Sequence, residues 1–167
     1  MKKTGLFYSF NSQKSRKIAE MIMAHLDVGD IETVDAETVK ETDFLRFDNL
    51  ILAVPTWFDG ELPIYWDEFV PAIEEMDLTG KKIAIYGLGD QKGYPENFGD
   101  AVGLMAKLLE SRNAGIVGET STEGYIFESS KALRNGKFLG LILDQENQAR
   151  LTEERLAKWL EQLKRLF

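Results

Sequence analysis

Residues 6–20 read LFYSFNSQKSRKIAE, an apolar run that breaks into small polar groups and then resumes at helical spacing. Leu6, Phe7 and Tyr8 close the segment TGLFY, which begins at Thr4 and has the apolar and aromatic character of a strand. Ile18, Met21, Ile22, His25 and Leu26 then recur at i, i+3, i+4, i+7 and i+8, the repeat of one helix face. A strand therefore runs directly into a helix. Ser9, Asn11, Ser12, Gln13 and Ser15 crowd the junction, with Lys14, Arg16 and Lys17 interleaved.

Four further apolar runs follow: DIETVD from Asp30, NLILAV from Asn49, KKIAIYG from Lys81, and AGIVGE from Ala114, the last resumed in FLGLIL from Phe138. The third and fourth strands are nearly continuous in apolar residues, as parallel strands covered on both faces are, which puts them at the centre of a sheet. Between strands, Phe98, Ala101, Val102, Met105, Leu108 and Leu109 mark an amphipathic helix, and Tyr65, Trp66, Phe69 and Ile73 keep helical intervals despite Pro63 and Pro71. The final segment takes Thr152 as N-cap, with Leu151 and Leu156 at the spacing of a hydrophobic staple and Trp159, Leu160 and Leu163 on one stripe. Strands alternating with helices predict a doubly wound parallel α/β sheet with right-handed crossovers, in one domain over residues 1–167. Residues 120–138 lie between the two halves of the fifth strand and read as an insertion.

Composition narrows the chemistry. With no cysteine the 167-residue chain has no disulfide, thiolate metal site, cysteine nucleophile or iron–sulfur cluster, so redox chemistry needs a borrowed group. Twenty basic against 28 acidic residues give a formal charge of −8, which opposes nucleic acid and favours a basic protein partner, although acidity for solubility alone is at least as common. No apolar run has the length of a membrane helix, and the start MKKTGLFYSF is not followed by a signal cleavage site, so a soluble cytoplasmic protein is expected. The single histidine, His25, falls on the apolar stripe and reads as structural, and no serine–histidine or metal constellation accompanies it.

Ligands of open parallel sheets bind beyond the carboxyl ends of the strands, where the chain order reverses. Three loops qualify: residues 9–15, 55–61 and 87–98. The first brings hydroxyls and amide N–H groups to a helix N-terminus, where an anion such as phosphate is attracted; that one serine merely caps the helix is an equal reading. The G-x-x-x-x-G-K-[ST] spacing is absent, and Gly87, Gly89 and Gly93 miss G-x-G-x-x-G. The second loop, PTWFDGEL, carries Trp57 and Phe58, and the third, GLGDQKGYPENF, carries Tyr94. Singly, each aromatic is best read as tucked onto the core; together, on adjacent loops, they suit a flat heterocycle whose phosphate tail the first loop holds, as in flavin mononucleotide (FMN).

On LFYS and KIAE near the start, PTW…GEL, GDQKGYPENFGDA, SKALRNGKF and LDQENQARLTEERLAKWLEQL, the whole chain resembles the flavodoxins, particularly their long-chain group. The resemblance implies a five-stranded parallel sheet in the order 2-1-3-4-5, with residues 120–138 splitting strand five. It also implies non-covalent FMN and a low-potential one-electron carrier, not an enzyme, cycling between semiquinone and hydroquinone.

By resemblance Trp57 stacks on the inner face of the ring and Tyr94 on the outer. The phosphate lies on Ser12 and Ser15 and on the amides around residues 11–15. Pro55 and Thr56 support the tail, Gly89, Asp90 and Asn97 face the pyrimidine edge, and Glu146 reaches the ribityl chain. The Phe58–Asp59 peptide turns toward the flavin N5, eased by Gly60. Asp59, Glu61, Asp67, Asp90 and Glu96 surround the pocket with negative charge. The implied partners are a basic flavodoxin reductase and an acceptor enzyme, with no nucleic acid or membrane, and the carrier is a monomer.

The junction departs from the family's T/S-x-T-G-x-T loop: Phe10 replaces the first hydroxyl and Gln13 the glycine, with Ser9, Lys14 and Arg16 as compensating groups. If the glycine serves a positive φ, a glutamine there costs roughly 1–2 kcal/mol of strain or forces a reshaped loop, and in either case FMN binding weaker than the family norm is expected. The alternative is a flavodoxin-fold interaction or regulatory module that has lost flavin.

Overall fold

The computed structural model describes residues 4–26 and 31–167. The first strand, β1 (Thr4–Tyr8), leads into α1 (Gln13–His25); then come β2 (Ile31–Asp35), α2 (Glu41–Leu45), β3 (Asn49–Ala53), α3 (Ile64–Glu74), β4 (Lys82–Leu88), α4 (Asp100–Ser111) and β5 (Gly115–Val117). The strands are all parallel, as the apolar runs predict, and the sheet order is β2-β1-β3-β4-β5, as the resemblance implies. Asp30 and the N-terminal Lys2 and Lys3 of the sequence reading lie outside the described residues.

Alternation along the central strands builds two cores, one on each face. Leu6 and Tyr8 of β1 and Ile51 and Ala53 of β3 pack with Ile18 and Ile22 of α1 and with Trp159 and Leu160 near the C-terminus. Phe7, Leu50, Leu52 and Val54 face the other way, onto Phe44, Trp66, Phe69, Val102 and Met105. Each strand side chain thus has a helix to cover it, which is why β1 and β3 are buried at every residue.

The fifth strand is in two pieces. β5 pairs with the first half of β4 through Lys82, Ile83 and Ala84, and a later strand, β9 (Leu141–Leu143), pairs with Tyr86, Gly87 and Leu88. Between them, β6 (Thr120–Ser121), β7 (Leu133–Arg134) and β8 (Lys137–Phe138) form a small antiparallel sheet in the order β6-β8-β7. An aromatic cluster docks this insertion: Phe98 stacks on Phe127 at 5.3 Å and meets Phe138 and Tyr125 at 5.9 and 5.6 Å. The chain ends in α5 (Gln145–Gln148) and α6 (Thr152–Leu166).

Two local expectations change. Thr152 is the first residue of α6 and not its cap: a 3-10 turn at Ala149–Leu151 runs straight into the helix, and the Thr152 hydroxyl donates to Gln145 Oε1 instead. His25 is exposed in the last turn of α1, its Nδ1 2.9 Å from the Met21 carbonyl, because the covered stripe narrows to Ile18, Ala19 and Ile22. Pro63 precedes α3 and Pro71 lies within it, so neither proline prevents that helix. Among the described residues no helix is long and apolar enough to cross a membrane.

Candidate functional site

Because β1, β3 and β4 are parallel, the loops that leave them emerge at one edge of the sheet. β1 continues into α1 beside β2 while β3 lies on its other side, so this edge is the switch point of the order. A cavity of about 380 Å³ opens there, within the range of small-molecule sites. Trp57 and Phe58 border it from the loop after β3, Tyr94 and Asn97 from the loop after β4, and Lys14 from α1. The indole and the phenol, 37 residues apart in sequence, therefore share one slot. Two other hollows, of about 460 and 520 Å³, lie beside the insertion and away from α1.

The loop after β3 is held tightly. Trp57 and Glu61 exchange backbone hydrogen bonds of 2.9 and 2.7 Å, closing a turn in which Phe58 takes φ 49° and Gly60 φ 91°. A side chain at Gly60 would lie 2.5 Å from the Asp100 carboxylate, so this position requires glycine for space as well as for φ. The Trp57 ring meets Tyr65 edge-on at 5.8 Å and 87°, which fixes its plane, while Phe58 stands two-thirds exposed at the mouth. Burial and the nearby carboxylates of Glu37 and Asp35 push the Tyr65 phenol well above its ordinary range. Thr56 Oγ1 accepts from the Ala101 N–H at 3.1 Å, capping α4, whose own N-cap is a glycine.

The loop after β4 is anchored through its polar side chains. Asp90 accepts from the N–H groups of Gly93 and Lys92 and from the Asn147 amide, which hold its carboxyl below the usual range. Gln91, buried, donates to Asp144 through its backbone and side-chain N–H, and its Oε1 accepts from Ile126 of the insertion at 2.6 Å. Tyr94, half-exposed at the loop tip, is thus carried on a fixed base.

At the β1–α1 junction, Ser12 is the N-cap of α1, its hydroxyl accepting from the Ser15 N–H at 3.2 Å. Gln13 opens the helix and is not among the positive-φ residues, so the expected backbone strain at this position is absent. Phe10 turns its ring onto Tyr8 at 4.8 Å and packs against the α1 core, leaving its backbone at the loop, where its N–H donates to Asp35 and its carbonyl accepts from Arg16. Ser9 Oγ donates to the Glu37 carboxylate, and the Asn11 amide donates to the same oxygen at 3.0 Å. Among the described residues the N–H groups of Asn11, Gln13 and Lys14 make no hydrogen bond.

Of the residues singled out in the sequence, the cavity gathers Lys14, Thr56, Trp57, Phe58, Gly89, Asp90, Tyr94, Asn97 and Glu146. Pro55, Asp59 and Gly60 belong to the loop that carries Trp57 but do not line the cavity, and Ser9, Phe10, Asn11, Ser12, Gln13 and Ser15 form the junction around Lys14 without lining it. Lys14 and Glu146 form a 2.9 Å ion pair between α1 and α5. Leu88 and Gln145 also line the cavity; their signal was positional only, one residue before Gly89 and one before Glu146.

The indole and the phenol border one cavity that reaches Lys14 in the first turn of α1, where free N–H groups and the positive end of the helix attract an anion. Comparison with known proteins agrees. The family model described as "Flavodoxin" matches residues 6–159. A flavodoxin of a Nostoc species is 41% identical over 166 residues, 99% of this chain and 98% of that protein. Flavodoxin 1 of Escherichia coli is 42% identical over 163 residues, 96% and 92% of the two chains. The crystal structure of Fusobacterium nucleatum flavodoxin bound to flavin mononucleotide superposes with a TM-score of 0.94 at 34% identity, covering 100% of this chain and 99% of that one. By sequence, sheet order and the position of its cavity, this chain belongs to the flavodoxin family.

Proposed function

We propose that the chain is an electron-transfer protein that holds FMN non-covalently between Trp57 and Tyr94 and carries one electron at a time at low potential. The observation that carries this reading is the pair of aromatic side chains from two different loops on one cavity, beside a helix N-terminus with unpaired N–H groups. The structural neighbour from Fusobacterium nucleatum, which is bound to flavin mononucleotide, supports it. A module that has lost flavin is not favoured, since both stacking residues border the slot.

When bound, FMN supplies the one-electron chemistry. Trp57 and Tyr94 exclude water from both faces of the ring. The N–H groups at the start of α1, with the hydroxyls of Ser12 and Ser15, would hold the phosphate. The turn at Phe58 and Gly60, both at positive φ, would place the Phe58–Asp59 peptide at the edge of the ring, where its carbonyl could accept a hydrogen bond from the flavin. Asp90 lines the slot, and Asp59, Glu61, Asp67 and Glu96 are exposed on the loops and helix around it; together these carboxylates would disfavour added negative charge on a bound flavin. The same acidic surface suits a basic reductase and a basic acceptor enzyme, met by a cytoplasmic monomer that works as one domain; residues 120–138 fit the long-chain group.

The test is direct. The protein purified with FMN is expected to be yellow, with one flavin per chain and association rates with a basic partner that fall as salt rises. A colourless protein that ignores added FMN refutes the reading.

A further inference from the structure

We infer that Glu37 is a specificity-determining residue of this site, an internal carboxylate that competes with the ligand's phosphate for the donors of the β1–α1 junction. The inference rests on the FMN reading above. Ser9 Oγ and Asn11 Nδ2 are two side-chain donors of that junction, and both point at one oxygen, Oε2, of Glu37. The carboxylate comes from another part of the chain, a 3-10 turn at Ala36–Thr38 that follows β2. That turn is itself fixed, because Asp35 Oδ1 accepts from both the Glu37 N–H at 3.1 Å and the Phe10 N–H at 3.2 Å. One side chain therefore tethers the turn to the loop while its neighbour reaches into the loop's donors.

The first turn of α1 holds no acidic residue of its own, so its positive end is free to attract an anion. Glu37 supplies that anion from within the molecule. A phosphate entering the junction either displaces the carboxylate from Ser9 and Asn11 or shares the donors with a second negative group at close range. Both routes weaken the phosphate and leave the ring unaffected, because Trp57 and Tyr94 lie on other loops. The consequence is a flavin site that discriminates poorly between FMN and riboflavin, which carries a hydroxyl in place of the phosphate.

The experiment is titration of the flavin-free protein with FMN and with riboflavin, for the native chain and for Glu37→Gln and Glu37→Ala. The exposed position of Glu37 lets both variants fold, which circular dichroism checks. Removing the charge that occupies the Ser9 and Asn11 donors is expected to tighten FMN about tenfold to a hundredfold, and to leave the riboflavin Kd within about twofold. An FMN Kd that is unchanged or raised in both variants overturns the inference, as does an equal gain for riboflavin. If no form of the chain binds either flavin, the FMN reading itself falls; if the native chain binds FMN and the variants bind it no better, only the role of Glu37 does.

Discussion

Replacing Asp144 by asparagine tests the base on which Tyr94 is carried. Asp144 is fully buried, directly after β9, and its carboxylate is an acceptor on every side. Oδ2 accepts from the Gln91 N–H at 3.1 Å and the Gln91 amide at 2.6 Å, and Oδ1 accepts from the Asn147 N–H at 3.0 Å. The Asn147 amide lies 3.0 and 3.1 Å from the two oxygens. A carboxamide of the same shape has one oxygen and a donating nitrogen. With its oxygen turned to Gln91, its nitrogen faces the Asn147 donors; turned the other way, it faces both donors of Gln91. The first arrangement sacrifices fewer bonds. It loses the Asn147 N–H bond and one of the two contacts of the Asn147 amide, and removes the charge assistance from the rest, for a total of roughly 2–4 kcal/mol. Urea unfolding followed by tryptophan emission reads this loss directly, and thermal unfolding reads it as a Tm lower by about 6–12 °C. Because Gln91 also holds the Ile126 N–H, amide exchange at Ile126 quickens in the variant, and FMN dissociates faster as the Tyr94 loop loosens. A variant within about 1 kcal/mol of the native protein, with Ile126 exchange unchanged, refutes the network.

Four further outcomes are expected. Tyr86→Phe raises stability by about 1 kcal/mol or more in urea unfolding, because the Tyr86 hydroxyl is buried without a partner among the described residues and its removal ends an uncompensated desolvation. Trp57→Ala and Tyr94→Ala each raise the FMN Kd roughly five- to 150-fold by fluorescence titration, the scale of aromatic–base stacking, and a change below twofold for both contradicts the clamp. Glu110 is held below the usual carboxylate range by the Arg134 guanidinium, at 2.7 and 2.8 Å, so its contribution is present above the unfolded pKa and disappears as pH falls through the lower folded value. With the pair 40% and 33% exposed, that contribution is below about 1 kcal/mol, and Glu110→Gln flattens the stability profile between about pH 5 and 3. Gln13→Gly relieves no strain, since Gln13 has no positive φ; it lowers stability by up to about 1 kcal/mol and does not tighten FMN.

How much was legible in the sequence follows from the range of the interactions involved. The strand-to-helix junction at residues 6–20 and the central strands at Asn49 and Lys81 were readable because burial on both faces leaves no position for a polar residue, and the register of β1 with β3 bears this out. The slot was readable because two bulky aromatics on turns are out of place unless something flat covers them, and Trp57 and Tyr94 do border one cavity. Polar partnerships were less legible. A serine hydroxyl rotates to any acceptor, so nothing in residues 9–15 indicates that Ser9 and Asn11 meet Glu37, which lies 28 and 26 positions on. Gln91 and Asp144, 53 positions apart, read locally as loop filler, and only the closing of the split fifth strand against β4 brings them together. The strain expected at Gln13 is absent for the opposite reason. A family pattern records the backbone its other members use, whereas here the helix begins at Gln13 itself with Ser12 as its cap, so the chain enters α1 without the left-handed residue the pattern supposes. On the inference drawn for Glu37, the constraint on a phosphate at this junction lies in charge and not in backbone conformation, so Glu37, and not Gln13, is the position whose substitution is expected to move the affinity.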